Sequence, residues 1–253
     1  MGFKDKINYD LRFSLSIIRG YFWRINWFKS LWLNFRALPF KQAIRMPIIV
    51  SWNTKINSVG KIIFPGKVYP AMLIMGIIRL PHLETYREPT VFSNKGTFIV
   101  NGNVKFHPGV KFSIYKKATM TVGNRVGFGA NMKIVCSKSI TVGNDVRISW
   151  LSQIFDTDFH YLYNIDKDKY YPNTKPITIG NNVFIGNNCT LAKGTVLPNG
   201  SVVSCVSKVA GDFSKEGENL LISGNPAIII KKGVNFSNSW FPEIEAQIAK
   251  QFK

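Results

Sequence analysis

A six-residue period in the second half of the chain constrains the fold more than any other feature. From residue 179 every sixth position is aliphatic, and the position four residues further along each hexad is small or β-branched. The aliphatic positions are Ile179, Ile185, Leu191, Leu197, Val203 and Val209, and the small ones are Val183, Cys189, Thr195, Ser201 and Ser207. This pattern predicts a short strand and a tight turn repeated around a parallel β-helix, with three hexads per coil.

The same period continues upstream of residue 179. It is found at Val122, Phe128 and Ile134 and, after a shift of two residues, at Val142, Ile148 and Ile154. A weaker copy runs through residues 100–112. The pattern therefore predicts a mainly β fold with a parallel β-helix domain over residues 56–234. A helical segment over residues 1–55 and a tail with a short C-terminal helix over residues 235–253 are predicted to flank it.

The period breaks between residues 155 and 176. Continuing the frame beyond Ile154 would require aliphatic side chains at 160, 166 and 172, where the chain has histidine, aspartate and proline. This segment is therefore predicted to form a loop that leaves the coil. It carries His160, one of only three histidines in the chain, together with Asp156 and Asp158. Loops on a rigid scaffold are frequent carriers of functional groups.

The charge balance predicts an anionic partner. The chain has 33 Lys and Arg against 14 Asp and Glu, a formal net charge of +19, which attracts anions. No recognition helix, aromatic RNA-binding motif or Cys/His finger is present, so an anionic lipid, an acidic glycan or a phosphorylated ligand is expected and nucleic acid is not. Three widely spaced cysteines predict neither a metal site nor a disulfide framework. Without a secretion signal or a long apolar run, a cytoplasmic location is expected.

The N-terminal segment combines aromatic and basic residues, most densely over residues 12–45. Aromatic residues spaced three and four apart alternate with cations, as in Trp23, Arg24, Trp27, Lys29, Trp32 and Arg36. This pattern predicts an interfacial helix that lies on an anionic membrane. Its aromatic rings would enter the headgroup layer, and its cations would contact the lipid phosphates. The alternative is a helical cap that packs on the end of the β-helix, or a trimer contact. The sequence leaves both open.

Three features together resemble the hexapeptide-repeat acyltransferases, a left-handed β-helix family that includes the sugar and polysaccharide O-acetyltransferases. They are the loop with its histidine, the segment "KPITIGNNVFIGNNCTL" that follows it, and the closing "SGNPAIIIKKG". The resemblance covers roughly residues 96–234. It implies left-handed coils, acetyl-CoA as the acyl donor and a homotrimer whose sites lie between subunits.

The resemblance also implies roles for the loop residues. His160 lies sixteen residues before Pro176, which matches the placement of the family's catalytic histidine. A neutral imidazole can take the proton from an acceptor hydroxyl as that hydroxyl attacks a thioester. Asp158 and Asp156 are the nearest candidates to hold the other ring nitrogen. Asn131 matches an asparagine that related enzymes place near the acceptor.

For the donor, the resemblance implies backbone contacts with the pantetheine arm near Asn187 and Cys205. Lys231 and Lys232 match basic residues that meet the cofactor's phosphates. The chain departs from many relatives at Ala210 and Gly211, where a Thr-Lys pair is common. Because of this departure, the contacts with the adenine and the phosphates of CoA, and the length of the acyl group, can differ from those of the relatives.

The function implied is transfer of an acetyl group from acetyl-CoA to a sugar hydroxyl of a surface polysaccharide or its lipid-linked precursor, with His160 as general base. Two alternatives stay open. One is N-acetylation of an amino sugar, because the same base and donor serve an amine. The other is a non-catalytic hexapeptide scaffold whose charge binds membranes or polyanions.

Overall fold

The computed structural model describes residues 3–80, 83, 88–237 and 249–251. Its helices are α1 (Phe3–Gly20), α2 (Trp27–Ala37) and α3 (Phe40–Ala43), with 3-10 turns at Phe22–Arg24 and Ser214–Glu216. Residues 249–251 are also helical. The strands are β1 (Ile48–Val50), β2 (Thr54–Ser58), β3 (Lys61–Ile63), β4 (Leu73–Met75), β5 (Thr90–Asn94), β6 (Thr97–Val100), β7 (Val104–Phe106), β8 (Lys111–Ile114), β9 (Thr119–Val122), β10 (Val126–Phe128), β11 (Lys133–Cys136), β12 (Ser139–Val142), β13 (Arg147–Ile148), β14 (Gln153–Phe155), β15 (Leu162–Asn164), β16 (Lys169–Tyr171), β17 (Ile177–Ile179), β18 (Phe184–Ile185), β19 (Thr190–Leu191), β20 (Val196–Leu197), β21 (Val202–Val203), β22 (Lys208–Val209), β23 (Leu220–Gly224) and β24 (Ala227–Lys232).

Three long sheets enclose one hydrophobic interior. Sheet I has the order β1-β4-β7-β10-β13-β18-β21-β23-β24, sheet II has β2-β5-β8-β11-β14-β19-β22, and sheet III has β20-β17-β12-β9-β6-β3. Successive coils add one strand to each sheet, and neighbouring strands of the coils are parallel; β24 alone in these sheets pairs antiparallel, with β23. The predicted left-handed parallel β-helix with N-terminal helices and a short C-terminal helix is confirmed.

The strand register places the repeat positions above one another inside the coil. Ile148 pairs with Ile185, and Ile185 pairs in turn with Val203. Nearer the N-terminus the interior is filled by stacked rings, with centroids about 5 Å apart, which explains why the aliphatic period is weak there. These rings belong to Phe92, Phe98, Phe106, Phe112 and Phe128.

A ladder of asparagines holds the turns between sheet III and sheet I. Each Oδ1 accepts a hydrogen bond from the backbone N–H of the asparagine one coil earlier, at 2.7–2.8 Å. The ladder contains Asn103, Asn124, Asn144, Asn181 and Asn199. Turn amides have no strand partner, so these side chains supply the acceptors that the corner would otherwise lack.

Helix α2 covers the edge strand of sheet I. Its buried face carries Ser30, Leu33 and Asn34. The Asn34 side chain donates to the carbonyl of Ile48 at 2.7 Å and accepts from the Ile48 N–H at 3.1 Å, and Ser30 Oγ accepts from the Val50 N–H at 3.0 Å. Because an open strand edge invites pairing with other chains, these contacts close the N-terminal end of the sheet. One face of the N-terminal segment therefore packs as a cap.

The domain limits given by the sequence remain predictions. Strand β1 at Ile48–Val50 already belongs to sheet I, upstream of the limit placed at residue 56. Of the tail over residues 235–253, positions 238–248 and 252–253 lie outside the described residues. Within the described part of the chain, none of the helices combines the length and apolar character needed to cross a bilayer.

Candidate active site

The interruption of the repeat forms a hairpin that projects from the coil. The chain leaves sheet II after β14 and returns to sheet III at β17, and between them β15 and β16 pair antiparallel. Apolar and aromatic residues of the hairpin are exposed, including Tyr161, Tyr170 and Ile165, the last at 84%. A rigid projection with exposed apolar residues indicates a surface that contacts another molecule.

Asp156 anchors the base of this loop. The residue is fully buried, and its carboxylate accepts hydrogen bonds from the backbone N–H groups of Ser137 at 2.6 Å, Lys138 at 2.7 Å and Ser139 at 2.8 Å. Its own carbonyl accepts from the N–H of Lys175, at the returning end of the loop, at 3.0 Å. Both carboxylate oxygens are therefore engaged in joining the loop to the preceding turn of the coil.

Asp158 fastens the next part of the stem. Its carboxylate forms an ion pair with Lys193, whose ammonium also donates to the carbonyl of Pro172 at 2.6 Å. The Asp158 N–H donates to the carbonyl of Asn173 at 2.8 Å. Two strands of the stem are thus tied to each other and to the following coil, which restricts how far this segment can move.

His160 follows a tight turn and faces solvent. Phe159 has a φ of 63°, and its N–H donates to Oγ1 of Thr157 at 3.0 Å. His160 itself is exposed. Within the described part of the chain, neither Asp156 nor Asp158 forms a hydrogen bond with the imidazole, since their carboxylates have the partners given above. The structure therefore presents the histidine on a fixed stem and uses the two acids to hold that stem.

A second set of predicted residues meets at the corner between sheets I and II. The Val206 N–H donates to the carbonyl of Asn187 at 2.9 Å, and Gly186 lies so close to Cys205 that a Cβ on the glycine would come within 2.6 Å of the Cys205 backbone nitrogen. Asn131 occupies the same corner two coils earlier than Asn187. Its buried Oδ1 has no hydrogen-bond partner among the residues that the structure describes. The structure thus brings Asn131, Asn187 and Cys205 onto one edge of the coil.

Two apolar residues of this edge adopt an unusual backbone conformation. Leu151 has a φ of 59° and Val206 a φ of 60°, a region that bulky and β-branched residues rarely enter. Both side chains are exposed, Val206 at 67%. Strained, exposed apolar residues are often retained at binding sites or interfaces. Sequence reasoning missed these two, although each stands at a turn position where Gly or Asn is usual.

Lys231 and Lys232 lie on β24, at the C-terminal end of sheet I. Both are exposed, and the Lys232 ammonium contacts the Glu216 carboxylate at 3.1 Å. They are on the antiparallel end strand, paired with Leu221 and Leu220. Among the described residues, no group of three or more His, Cys, Asp or Glu is arranged to hold a metal ion.

Within one subunit the predicted site is divided. Asn131, Asn187 and Cys205 lie at the corner where sheet I leads into sheet II, whereas His160 projects from the corner where sheet II leads into sheet III. The width of sheet II separates them.

Comparison with known proteins adds two relatives. The chain is 32% identical over 204 residues to an uncharacterized 24.8 kDa protein of the cps region of Klebsiella pneumoniae, which covers 81% of this chain and 87% of that protein. It is 28% identical over 164 residues to WbbJ of Escherichia coli K12, provisionally named a lipopolysaccharide biosynthesis O-acetyl transferase, with 61% of this chain and 81% of WbbJ covered. No protein-family model matches the chain.

Two solved structures share the fold. The polysialic-acid-specific acetyltransferase NeuO superposes with a TM-score of 0.55 at 24% identity, covering 81% of this chain and 88% of NeuO. The polysialic acid O-acetyltransferase OatWY superposes with a TM-score of 0.50 at 18% identity, covering 81% of this chain and 95% of OatWY. The fold therefore has counterparts among proteins of known structure.

The different contacts of the two acids lead to a testable difference in stability. Asp156→Ala removes the acceptor for three backbone amides and is expected to lower the free energy of unfolding by roughly 2–4 kcal/mol. Asp158→Ala breaks a partly exposed ion pair and is expected to cost less than about 1 kcal/mol. Urea denaturation of both variants measures this. Equal losses of stability would contradict the anchoring role assigned to Asp156.

Proposed function

The chain belongs to the hexapeptide-repeat acyltransferase family, in its sugar O-acetyltransferase branch, and from that premise we propose its reaction. It transfers an acetyl group from acetyl-CoA to a hydroxyl of a sugar in a surface polysaccharide or in the lipid-linked precursor of one. The names of WbbJ, NeuO and OatWY, which refer to lipopolysaccharide and polysialic acid, support a glycan as the acceptor.

The presentation of His160 is the observation that carries the proposal. An exposed imidazole on a stem that is tied down by Asp156 and Asp158 can reach an acceptor without a large loss of conformational freedom. In the proposed reaction His160 removes the proton from the sugar hydroxyl while the oxygen attacks the thioester carbonyl. The carbon–sulfur bond then breaks, and the proton passes from the imidazolium to the leaving thiolate, which yields the O-acetyl sugar and free CoA.

The two acids have different parts in this proposal. Because both oxygens of Asp156 bind backbone amides, Asp156 acts by holding the loop and not by contacting substrate. Asp158 is a positioning residue, since its ion pair with Lys193 fixes the strand that leads to His160. When substrate binds, Asp158 would release Lys193 and accept a hydrogen bond from the His160 ring. The imidazole would then have the carboxylate partner that a general base uses.

The corner between sheets I and II is the proposed donor groove. Asn187 and Cys205 offer backbone groups on stacked turns, and Cys205 is exposed, so a pantetheine arm could lie along this edge. Asn131 at the same corner is proposed to contact the acceptor, since within the described part of one chain its Oδ1 has no partner. Lys231 and Lys232 are proposed to meet the phosphates of CoA at the end of the coil.

A homotrimer would unite the divided site. His160 of one subunit would face the donor corner of the next, which would bring the two sets of residues together. The exposed apolar residues support this, because Leu151 and Val206 at the corner and Ile165 on the hairpin would be covered by a neighbouring subunit. Closed cyclic symmetry gives three identical sites.

The outer face of helix α2 supports a peripheral membrane position. Opposite the buried cap residues, an outer stripe of α2 with helical spacing is exposed and apolar; it consists of Phe28, Leu31, Trp32 and Phe35. Trp23 is 88% exposed and Phe28 82%. The exposed cations Arg24 and Arg36 directly follow Trp23 and Phe35 in the sequence. The aromatic rings would enter the headgroup layer, and the cations would contact lipid phosphates. This face therefore suits the cytoplasmic surface of an anionic bilayer, where acetyl-CoA is present.

Replacement of the base tests the reaction. His160→Ala is expected to lower kcat/KM for acetyl transfer by roughly 10²–10⁴-fold, because a general base contributes about that much. The measurement is release of CoA from acetyl-CoA with free and polyprenyl-linked oligosaccharides as acceptors. Lys167→Ala, on the exposed tip of the same hairpin, serves as the control. Undiminished acceptor-dependent release by the His160 variant would contradict the proposal.

The same assay separates the alternatives. Acetylation of amino sugars but not of hydroxyl acceptors would favour N-acetylation, which the chemistry of the base also allows. Failure of the wild-type protein to bind CoA would instead favour a non-catalytic scaffold.

Removal of the outward aromatic residues tests membrane association. The double change Trp23→Ala and Phe28→Ala is expected to weaken binding to phosphatidylglycerol liposomes about tenfold or more, because both side chains would otherwise enter the headgroup layer. Liposome sedimentation measures this, with phosphatidylcholine vesicles as the uncharged reference and Tyr115→Ala as an exposed aromatic control on the coil. Equal binding of the double variant and the wild type would overturn this assignment.

A further inference from the structure

A cavity lies on the outer face of sheet I, beneath helix α1. Its volume is about 340 Å³, and it adjoins a smaller one of about 190 Å³. The two share Leu80, His107, Gly127 and Arg147 in their linings. Together they form a groove of a size that suits a small ligand. None of the residues assigned above to acetyl transfer lines this groove.

A glycine between two cations creates the centre of the groove. Lys105, Gly127 and Arg147 stand in register on β7, β10 and β13. Since neighbouring strands are about 4.8 Å apart, the two basic residues are separated by roughly 10 Å along the sheet. A Cβ on Gly127 would have nothing within 4 Å among the described residues. The glycine therefore leaves a gap, the Gly127 gap, that is flanked in this row by a lysine and an arginine.

Lys105 is buried at a cost. Its side chain is only 8% exposed, and its Nζ lies 3.7 Å from the centre of the Phe13 ring of α1. Burial, and next the charge of Arg147, lower its pKa to about 6, and Asp10 opposes this. A basic residue that lines a cavity and has a strongly lowered pKa is a candidate ligand-binding group.

The walls of the groove change character along its length. Under α1 they are apolar, with Ile17, Ile78 and Leu80. Ile17 and Ile78 also belong to the cluster on which the N-terminal helices pack. At the other end the lining includes Ser149 and Trp150, which lead directly into Leu151 at the donor corner. The groove thus joins the N-terminal helices to the corner where acetyl transfer is proposed.

We propose that the Gly127 gap binds the phosphate groups of an acceptor whose sugar is carried on a diphosphate, with Lys105 and Arg147 as the cationic partners. This inference rests on the proposed function and specifies its acceptor. The sugar then points along the groove towards Trp150, and its carrier lies against the apolar wall beneath α1. That wall favours a lipid carrier, although a nucleotide carrier presents the same diphosphate chemistry.

The state of Lys105 makes binding dependent on pH. A bound diphosphate diester favours the ammonium form and raises the pKa of Lys105 from about 6, so binding takes up a proton above that pH. Affinity is therefore expected to fall as the pH rises from 6 to 8, by at most about tenfold per pH unit. Arg147 and Asp10 also act on Lys105, and Arg125 lines the same cavity. Burial lowers the pKa of His107, another lining residue, to about 4, so its ring is neutral in this range. The diester itself keeps its charge in this range.

Three probes with the same sugar separate the sources of the diphosphate. They are farnesyl-diphosphate-linked N-acetylglucosamine, UDP-N-acetylglucosamine and free N-acetylglucosamine, titrated calorimetrically into the full chain. The wild type is expected to bind the first two and not the third. Tighter binding of the farnesyl compound identifies the lipid carrier, and tighter binding of the UDP compound identifies the nucleotide. Absence of binding by both diphosphates would overturn the proposal.

Two variants test the site itself. Gly127→Val fills the gap with a residue that suits a strand, and Lys105→Met removes the cation while keeping an unbranched side chain. Each is expected to weaken diphosphate binding at least tenfold, and a cooperative melting transition shows that each variant folds. Lys61→Met, an exposed strand lysine on sheet III, is the matched control. Unchanged binding in both variants would refute the site.

Binding and catalysis can fail independently. His160→Ala should still bind the diphosphate probes, so loss of acetyl transfer with retained binding separates the two proposals. Wild-type binding without any acetyl transfer would overturn the proposed reaction and leave the diphosphate site standing. Loss of CoA binding in Gly127→Val and Lys105→Met would assign the groove to the donor and overturn its assignment to the acceptor.

Discussion

The alignment of each coil on the previous one is the constraint on which the rest of this structure depends. Parallel strand pairing fixes the height of every turn, and inward aliphatic residues such as Ile185 and Val203 stack only in that register. The asparagine ladder carries the same alignment through one corner, where backbone pairing alone would leave amides unsatisfied. Because each coil is set by its neighbour, residues far apart in sequence occupy successive positions along one edge.

The proposed functional groups lie where this scaffold departs from its regularity. The hairpin that carries His160 is possible because the coil closes below it, where Asp156 binds three amides of the preceding turn. The corner between sheets I and II departs in another way, through the left-handed backbone of Leu151 and Val206. The outer face of sheet I shows a third departure from the regular coil, because Gly127 interrupts the row of side chains between Lys105 and Arg147. Each departure creates a surface that packing does not require.

The sequence predicted the core and the loop because both depend on local periodicity. Ile148, Ile154 and Ile185 are buried as the hexads require, and the loop begins where the period ends. The partners of Asp156 could not be predicted, since the amides of residues 137–139 approach it only through the stacking of coils. The environment of Lys105 was hidden for a similar reason. Its burial depends on α1, which lies more than eighty residues away in sequence.

The two faces of helix α2 differ in a way that the sequence did not reveal. Ser30 and Asn34 bind the edge strand of sheet I, so α2 caps the coil. Phe28 and Trp32 point away from it and are exposed. Hydrophobic spacing alone could not identify the buried face of α2, because its buried contacts are largely polar and its exposed face is largely apolar.

The division of the site between two corners is tested most directly by combining two inactive subunits. His160→Ala removes the base, and Cys205→Trp fills the proposed donor groove at an exposed position. Trimers that contain both kinds of subunit are purified through two different tags and assayed for acetyl transfer. If the site lies between subunits, each mixed trimer has one intact interface and regains about a third of the wild-type activity. Mixed trimers that stay as inactive as the two parent proteins would contradict a site shared between chains.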